Sequence, residues 1–188
     1  MKNLAVLVSG TGSLLEAMIA DKLEIKLVLA DRPCRGLKIA EAAGIPTELV
    51  GRSFRKDFDR KGYTEDIALL LVNYDIDFVA MAGFMTVFDE AIFTGDGGRY
   101  NGKILNSHPS LLPSFKGEKA VEDALKFGAK VTGTTIHVAT EIMDEGLILA
   151  QEAVRIRPGD TVDTLWERIK IVERKLYPMV IREFAKTI

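Results

Sequence analysis

A single cysteine, Cys34, leaves this chain without an intrachain disulfide, which is compatible with a reducing compartment. Beyond Arg32 and Arg35 the thiol has no evident activating neighbour, and it reads as a loop residue. Histidine is nearly as scarce. His108 and His137 are the only two, and neither has the close His or Cys partner of a common zinc motif, so no metal is expected. An excess of one charge is lacking too: the formal net charge is -2, which gives no electrostatic footing for nucleic acid or an anionic membrane. No apolar run approaches the ~20 residues of a bilayer-spanning helix. The apolar start, Leu4 to Val8, is cut short by Ser9-Gly10-Thr11-Gly12-Ser13, where a signal peptide would need a longer run and a cleavage site. Internal repeats, low-complexity tracts and linker-like stretches are missing as well. A cytoplasmic protein acting on small molecules is the expectation, with no nucleic acid or membrane partner.

What is present is the material of a globular core. Apolar residues make up 47% and charged residues 28% of the chain. Its 188 residues fit one domain, 1–188, that needs no metal or disulfide staple. Near-continuous apolar runs at Leu4–Val8, Ile25–Ala30, Thr47–Val50 and Phe78–Ala82 predict buried strands. Helical spacing predicts helices over Leu14–Ala20, Gly36–Ala43 and Asp57–Asn73 between them. This alternation is that of an α/β parallel sheet covered on both faces. Phe93 to Arg99 reads as a surface loop by its glycines, and Lys103–Asn106 as a fifth short strand. A helix over Glu118–Phe127 and strands over Thr132–Thr140 and Leu147–Ile156 follow. Asp160-Thr161 can cap a last helix whose apolar stripe runs from Leu165 to Phe184, with Pro178 expected to kink it or start a new one.

Two segments carry chemistry. Ser9-Gly10-Thr11-Gly12-Ser13 joins a strand to a helix, where backbone N–H groups and the helix dipole can meet an anion. Leu15 stands where a dinucleotide fingerprint needs its third small residue, and no lysine completes a nucleoside-triphosphate loop. A small phosphate ester fits better, with a ligand-free tight turn as the plain alternative. The second segment is Asn106-Ser107-His108-Pro109. At a strand end, alternation puts Asn106 and His108 on one side, an amide donor beside an imidazole, which suits oxyanion stabilisation and proton transfer. Asp144, in Met143-Asp144-Glu145-Gly146, is ordinary turn chemistry unless it meets His108. His137 lies opposite Ile136 and Val138 and is read as a supporting residue.

Together these segments resemble the phosphoribosylglycinamide formyltransferases. Val8 to Ser13 looks like that family's phosphate loop, Ala82-Gly83-Phe84-Met85 like its fourth-strand segment, and Leu105 to Pro113 like the core motif of formyltetrahydrofolate-using transferases. Gly133 to Gly146 resembles their second signature, and Glu173 before Tyr177-Pro178 the family's C-terminal carboxylate. The resemblance implies a Rossmann-like, mostly parallel twisted sheet with a late antiparallel strand and a long C-terminal helix. It implies 10-formyltetrahydrofolate as co-substrate and glycinamide ribonucleotide as acceptor, with Asn106, His108 and Asp144 catalytic. By the same resemblance Gly12, Ser13, Leu14, Lys170 and Glu173 hold the ribonucleotide. Arg60, Met85, Thr86, Val87, Phe88, Asn106, Thr140, Glu141, Ile142 and Met143 flank the folate. The chain departs from the family at Leu14, Thr86 and Lys119, where asparagine, arginine and histidine are usual. A methionyl-tRNA formyltransferase is expected to carry a further C-terminal domain, and a formyltetrahydrofolate hydrolase an N-terminal one. A related transferase acting on an amino-sugar nucleotide, and a non-enzymatic α/β binding protein, are the alternatives. Oligomeric state is left open, a homodimer included.

Overall fold

The computed structural model describes residues 2–53 and 55–188. Seven strands form one sheet: β1 (Leu4–Val8), β2 (Ile25–Ala30), β3 (Thr47–Leu49), β4 (Phe78–Met81), β5 (Ile104–His108), β6 (Val131–Val138) and β7 (Ile148–Arg155). Their order across the sheet is β3-β2-β1-β4-β5-β6-β7. Pairing is parallel from β3 through β5 and antiparallel on both sides of β6, so β6 alone runs against the rest. The helices are α1 (Ser13–Ala20), α2 (Arg35–Ala42), α3 (Arg60–Asn73), α4 (Ala91–Thr94), α5 (Ala120–Phe127) and α6 (Val162–Phe184).

The apolar runs work because both faces of the sheet are covered. Along β1 and β5 the side chains alternate. Val6, Val8 and Leu105 pack towards α1 and α6, against Leu15, Met18, Tyr177 and Ile181. Ala5, Leu7 and Ile104 pack the other way, against Tyr63, Ile67 and Leu71 of α3 and Ile92 of α4. Each such buried Leu, Ile or Val stabilises the fold by about 1.5–3 kcal/mol. Thr161 caps α6 as expected, accepting from the Thr164 N–H while the Thr164 hydroxyl accepts from the Thr161 N–H.

Three expectations are corrected. The strand expected over Lys103–Asn106 runs on to His108. Its parallel partner β4 ends at Met81, opposite Asn106, but β6 continues the ladder by pairing Ser107 with Ile136 and His108 with Thr135. The stretch expected as a surface loop from Phe93 begins inside α4, with Phe93 buried against the α3 side of the sheet. No new helix starts at Pro178: α6 passes through it, with Tyr177 and Pro178 buried and the Tyr177 hydroxyl donating to the Leu105 carbonyl at 2.8 Å.

Strand order places the site. From β1 the chain proceeds to β2 on one side and only later to β4 on the other, so the carboxyl ends of β1 and β4 flank a topological switch point. Open α/β sheets bind their ligands in that crevice.

Candidate active site

A cavity of about 480 Å³ opens at this switch point, within the size range of small-molecule sites. Its first wall is the loop after β1. Gly12 sits at φ 73, and an added Cβ would lie 2.7 Å from Ile39 Cδ1 and 2.8 Å from Gly36 Cα. Glycine is therefore required here on two counts, conformation and contact. The loop is pinned by the Gly36 N–H to the Gly10 carbonyl at 3.2 Å and by Arg35 to the Thr11 carbonyl at 3.0 Å. Leu14 lines the cavity and also belongs to the core under α1.

The second wall is the chain leaving β4, Ala82 to Phe88. The Met85 N–H donates to Ser9 Oγ at 2.8 Å, which joins this wall to the first. The Thr86 hydroxyl points into the protein and donates to Asp31 Oδ2 at 2.7 Å. Burial alone would push the Asp31 carboxyl up. Hydrogen bonds from Arg32, Thr86 and Ser9 outweigh it and hold the group below the ordinary carboxylate range. Phe88 packs inward against Phe84, ring centroids 5.5 Å apart, leaving Met85 and Val87 exposed at the mouth.

The floor comes from β5, β6 and the turn after β6. Asn106 and His108 share the face that looks towards α3, as alternation requires. Asn106 Nδ2 lies 3.1 Å from His137 Nε2, its cross-strand partner. His137 Nδ1 lies 3.0 Å from the Val138 carbonyl. A carbonyl only accepts, so Nδ1 carries the hydrogen and Nε2 accepts from the Asn106 amide. Burial pushes the His137 ring down, below its ordinary value, which keeps that tautomer neutral.

Asp144 reaches the same floor from a turn. Its backbone is left-handed, at φ 58. Asp144 Oδ2 is 3.4 Å from His108 Nδ1 and accepts from the Gly117 N–H at 2.8 Å, and Oδ1 is 3.7 Å from His137 Nε2. His108 Nε2 is 2.8 Å from the Phe115 carbonyl. His108 and Asp144 are both buried. Oxygen atoms thus stand near both ring nitrogens of His108, the Phe115 carbonyl at hydrogen-bond distance and the Asp144 carboxylate slightly farther off.

The last wall is α6, which lends Trp166, Lys170 and Glu173. Lys170 Nζ stands 5.8 Å from the Trp166 ring centroid and pairs with Glu167 at 2.7 Å. Burial pushes the Glu173 carboxyl up, while the Ser107 hydroxyl, Arg174 and Lys170 pull against it.

Most residues singled out in the sequence therefore border one cavity: Asn106, His108, His137 and Asp144 with Gly12, Ser13, Leu14, Lys170 and Glu173, and Met85 to Phe88 with Thr140 and Met143. Arg60 does not border it. It stands exposed on the first turn of α3. Glu141 and Ile142 are also exposed and do not line it. The sequence reading passed over Ser107, Trp166, the Phe115 carbonyl and the Gly117 N–H. Alternation did carry a signal for Ser107, since it must face away from Asn106 and His108, towards α6. Among the described residues no three His, Cys, Asp or Glu side chains are grouped to hold a metal ion. Among them, too, no helix is long and apolar enough to cross a membrane.

Known proteins share this arrangement of chain. The family profile described as formyl transferase matches residues 2–181. The human trifunctional purine biosynthetic protein adenosine-3 is 43% identical over 188 residues, covering 96% of this chain and 18% of that protein. The chain thus spans about a fifth of the length of such trifunctional relatives. The phosphoribosylglycinamide formyltransferase of Mycobacterium tuberculosis is 37% identical over 187 residues, covering 97% of this chain and 84% of that one. The crystal structure of glycinamide ribonucleotide transformylase 1 from Symbiobacterium toebii superposes with a TM-score of 0.91 at 35% identity, covering 100% of this chain and 89% of that one.

Proposed function

The chain belongs to the formyl transferase family, and from that premise we propose that it transfers the formyl group of 10-formyltetrahydrofolate to the amine of glycinamide ribonucleotide, a step of purine biosynthesis. The observation that carries this reading is the placement of Asn106, His108 and Asp144 on one cavity floor, with a glycine loop at one end and Glu173 at another. Residues 1–188 then act as one formyltransferase domain. Its N-terminal half holds the phosphate, and its C-terminal half holds folate and performs the chemistry. A cytoplasmic setting suits the lone Cys34.

Each residue's chemistry follows from its contacts. The Gly12 and Ser13 backbone, at the start of α1, suits the acceptor's phosphate, and Lys170 adds charge nearby. Glu173 accepts from the acceptor's N–H groups and directs its amine at the formyl carbon. As that amine adds, negative charge grows on the formyl oxygen. Asn106 keeps one amide hydrogen for that oxygen while the other binds His137. His108 supplies a second donor, the Nε2–H now accepted by the Phe115 carbonyl. Asp144 balances the charge on the His108 ring and accepts the proton that the amine must shed, directly or through a water. Met85, Val87 and Met143 offer apolar surface for the pterin ring at the mouth. Orienting two substrates together in this way needs no covalent enzyme intermediate. Thr86, turned inward to Asp31, lends this wall its backbone only.

The test is turnover of the purified chain with 10-formyltetrahydrofolate and a panel of amines. Formylation of glycinamide ribonucleotide in preference to an amino-sugar nucleotide is the expected result. Turnover confined to the amino-sugar nucleotide, or none with any amine, would overturn the reading.

A further inference from the structure

Strand β5 gives the cavity two different faces within three residues. Asn106 and His108 look towards α3, and Ser107 between them looks towards α6. There the Ser107 hydroxyl donates a hydrogen bond to Glu173 Oε1. Behind it, Thr134 Oγ1 lies 3.3 Å from Ser107 Oγ and 3.4 Å from the His108 carbonyl. Thr134 is fully buried, so its hydroxyl is committed to this pair of oxygens. With the Ser107 hydrogen spent on Glu173, the Thr134 hydroxyl is the donor to Ser107 or to the backbone beside it. A chain of hydroxyls thus runs from β6 through β5 to a carboxylate on α6, between residues 66 positions apart for its last link.

We propose that Ser107 is a positioning residue for the acceptor. It fixes the Glu173 carboxylate by one oxygen, leaves the other for the acceptor, and ties it to the strand that carries Asn106 and His108. The inference rests on the reading above that Glu173 meets the acceptor. Glu173 needs such a tether because it sits on a separate element from the rest of the reacting groups. A carboxylate free to change rotamer on α6 would present its oxygen to the amine only part of the time. The bond also favours the ionised form, since an O–H can donate to a carboxylate but loses that acceptor's strength when the group is protonated. Ionised Glu173 accepts an amine N–H, whereas the protonated group competes as a donor.

Charged and titratable groups meet Glu173 from its own helix and from the sheet. Arg174 and Lys170 of its own helix favour the anion, and the Tyr177 phenol lies one turn on. From the sheet comes the Ser107 hydroxyl, while His108, the next titratable group along β5, looks to the opposite face. Burial opposes the charge and pushes the carboxyl up, and the loss of one donor acts in the same direction.

Ser107→Ala and Ser107→Thr separate positioning from packing. The alanine variant is expected to raise the acceptor KM by about tenfold, the worth of a hydrogen bond to a charged group. It should raise the donor KM less, and move the acidic limb of the acceptor's kcat/KM to higher pH. The threonine variant, which keeps the hydroxyl, is expected to restore both. Carboxyl-carbon NMR titration of Glu173 in the absence of substrates makes the result independent of the acceptor's identity: its midpoint should rise in Ser107→Ala and return in Ser107→Thr. An unmoved Glu173 midpoint, or acceptor and donor KM rising together without threonine rescue, would overturn the proposal. A moved midpoint in a chain that formylates no glycinamide ribonucleotide would sustain the tether and reject the acceptor.

Discussion

His108 Nδ1 stands 3.4 Å from Asp144 Oδ2, and both side chains are buried at the floor of the cavity. That contact joins a strand residue to a turn residue 36 positions later and brings the turn onto the cavity floor. Asp144→Asn tests it cleanly. Asparagine tolerates the left-handed backbone at φ 58 and can still accept from the Gly117 N–H, so only the charge is lost. We predict a kcat about 100-fold lower or worse, with the melting midpoint kept. Steady-state kinetics beside a thermal melt checks this, and a kcat near wild type would remove Asp144 from the proton path.

The His137 ring sets a pH dependence of stability. Burial holds its folded pKa below the ordinary value of about 6.5. Above about pH 6.5 the ring is neutral folded or unfolded, and its contribution is whole. As pH falls from there towards the folded value, the unfolded chain takes up a proton that the fold resists, and stability drops. His137→Gln removes that titration. Urea unfolding at about pH 7.5 and about pH 5 should show the variant losing less stability over the interval than wild type. An equal loss in both would place the pH sensitivity elsewhere.

Gly12→Ala combines a left-handed backbone with two contacts under 3 Å, one of them to the Gly36 backbone, which cannot swing away. A cost of about 1–3 kcal/mol is expected from strain and overpacking. The acceptor KM should rise as well, because the displaced loop is the one assigned to the phosphate. Chemical denaturation and acceptor kinetics together check it, and a variant unchanged in both would mean that the loop adapts.

The Asp31–Thr86 bond makes a separate prediction for the donor wall. Thr86→Val keeps the shape but takes one donor from a fully buried carboxylate. It should cost about 1–3 kcal/mol of stability and raise the folate KM as Met85 to Val87 loosen. Thr86→Ser, which keeps the hydroxyl, should recover the folate KM. A serine variant as impaired as the valine one would show that the missing methyl matters instead.

How much of this could be read in the sequence depended on the range of the interaction. Strands β1, β2 and β4 announce themselves because both faces are covered and the runs are unbroken. Helix α6 does so through its stripe and the Thr161 cap. The end of β5 was not legible, since its last two residues are held by β6, whose pairing no local pattern encodes. Phe93 escaped notice because its glycine-rich neighbours outweighed one apolar pair. At the site, Asn106 and His108 were legible from alternation at a strand end, and Asp144 only through family resemblance. The Phe115 carbonyl and Gly117 N–H that hold His108 and Asp144 are backbone groups, and no residue type betrays them. Ser107 is the instructive case. The same alternation that aims its neighbours at one face aims it at the other, where Glu173 waits on a helix distant in sequence.

In the proposed reaction His108, backed by Asp144 and beside Asn106, stabilises charge on a formyl group in transfer. The most direct measurement of that role is the single-turnover rate of formyl transfer from 10-formyltetrahydrofolate to glycinamide ribonucleotide by wild type and by His108→Ala. A rate about 100- to 1000-fold lower is expected in the variant, the worth of one oxyanion donor, with the fold intact by circular dichroism. A variant that transfers formyl as fast as wild type would contradict it.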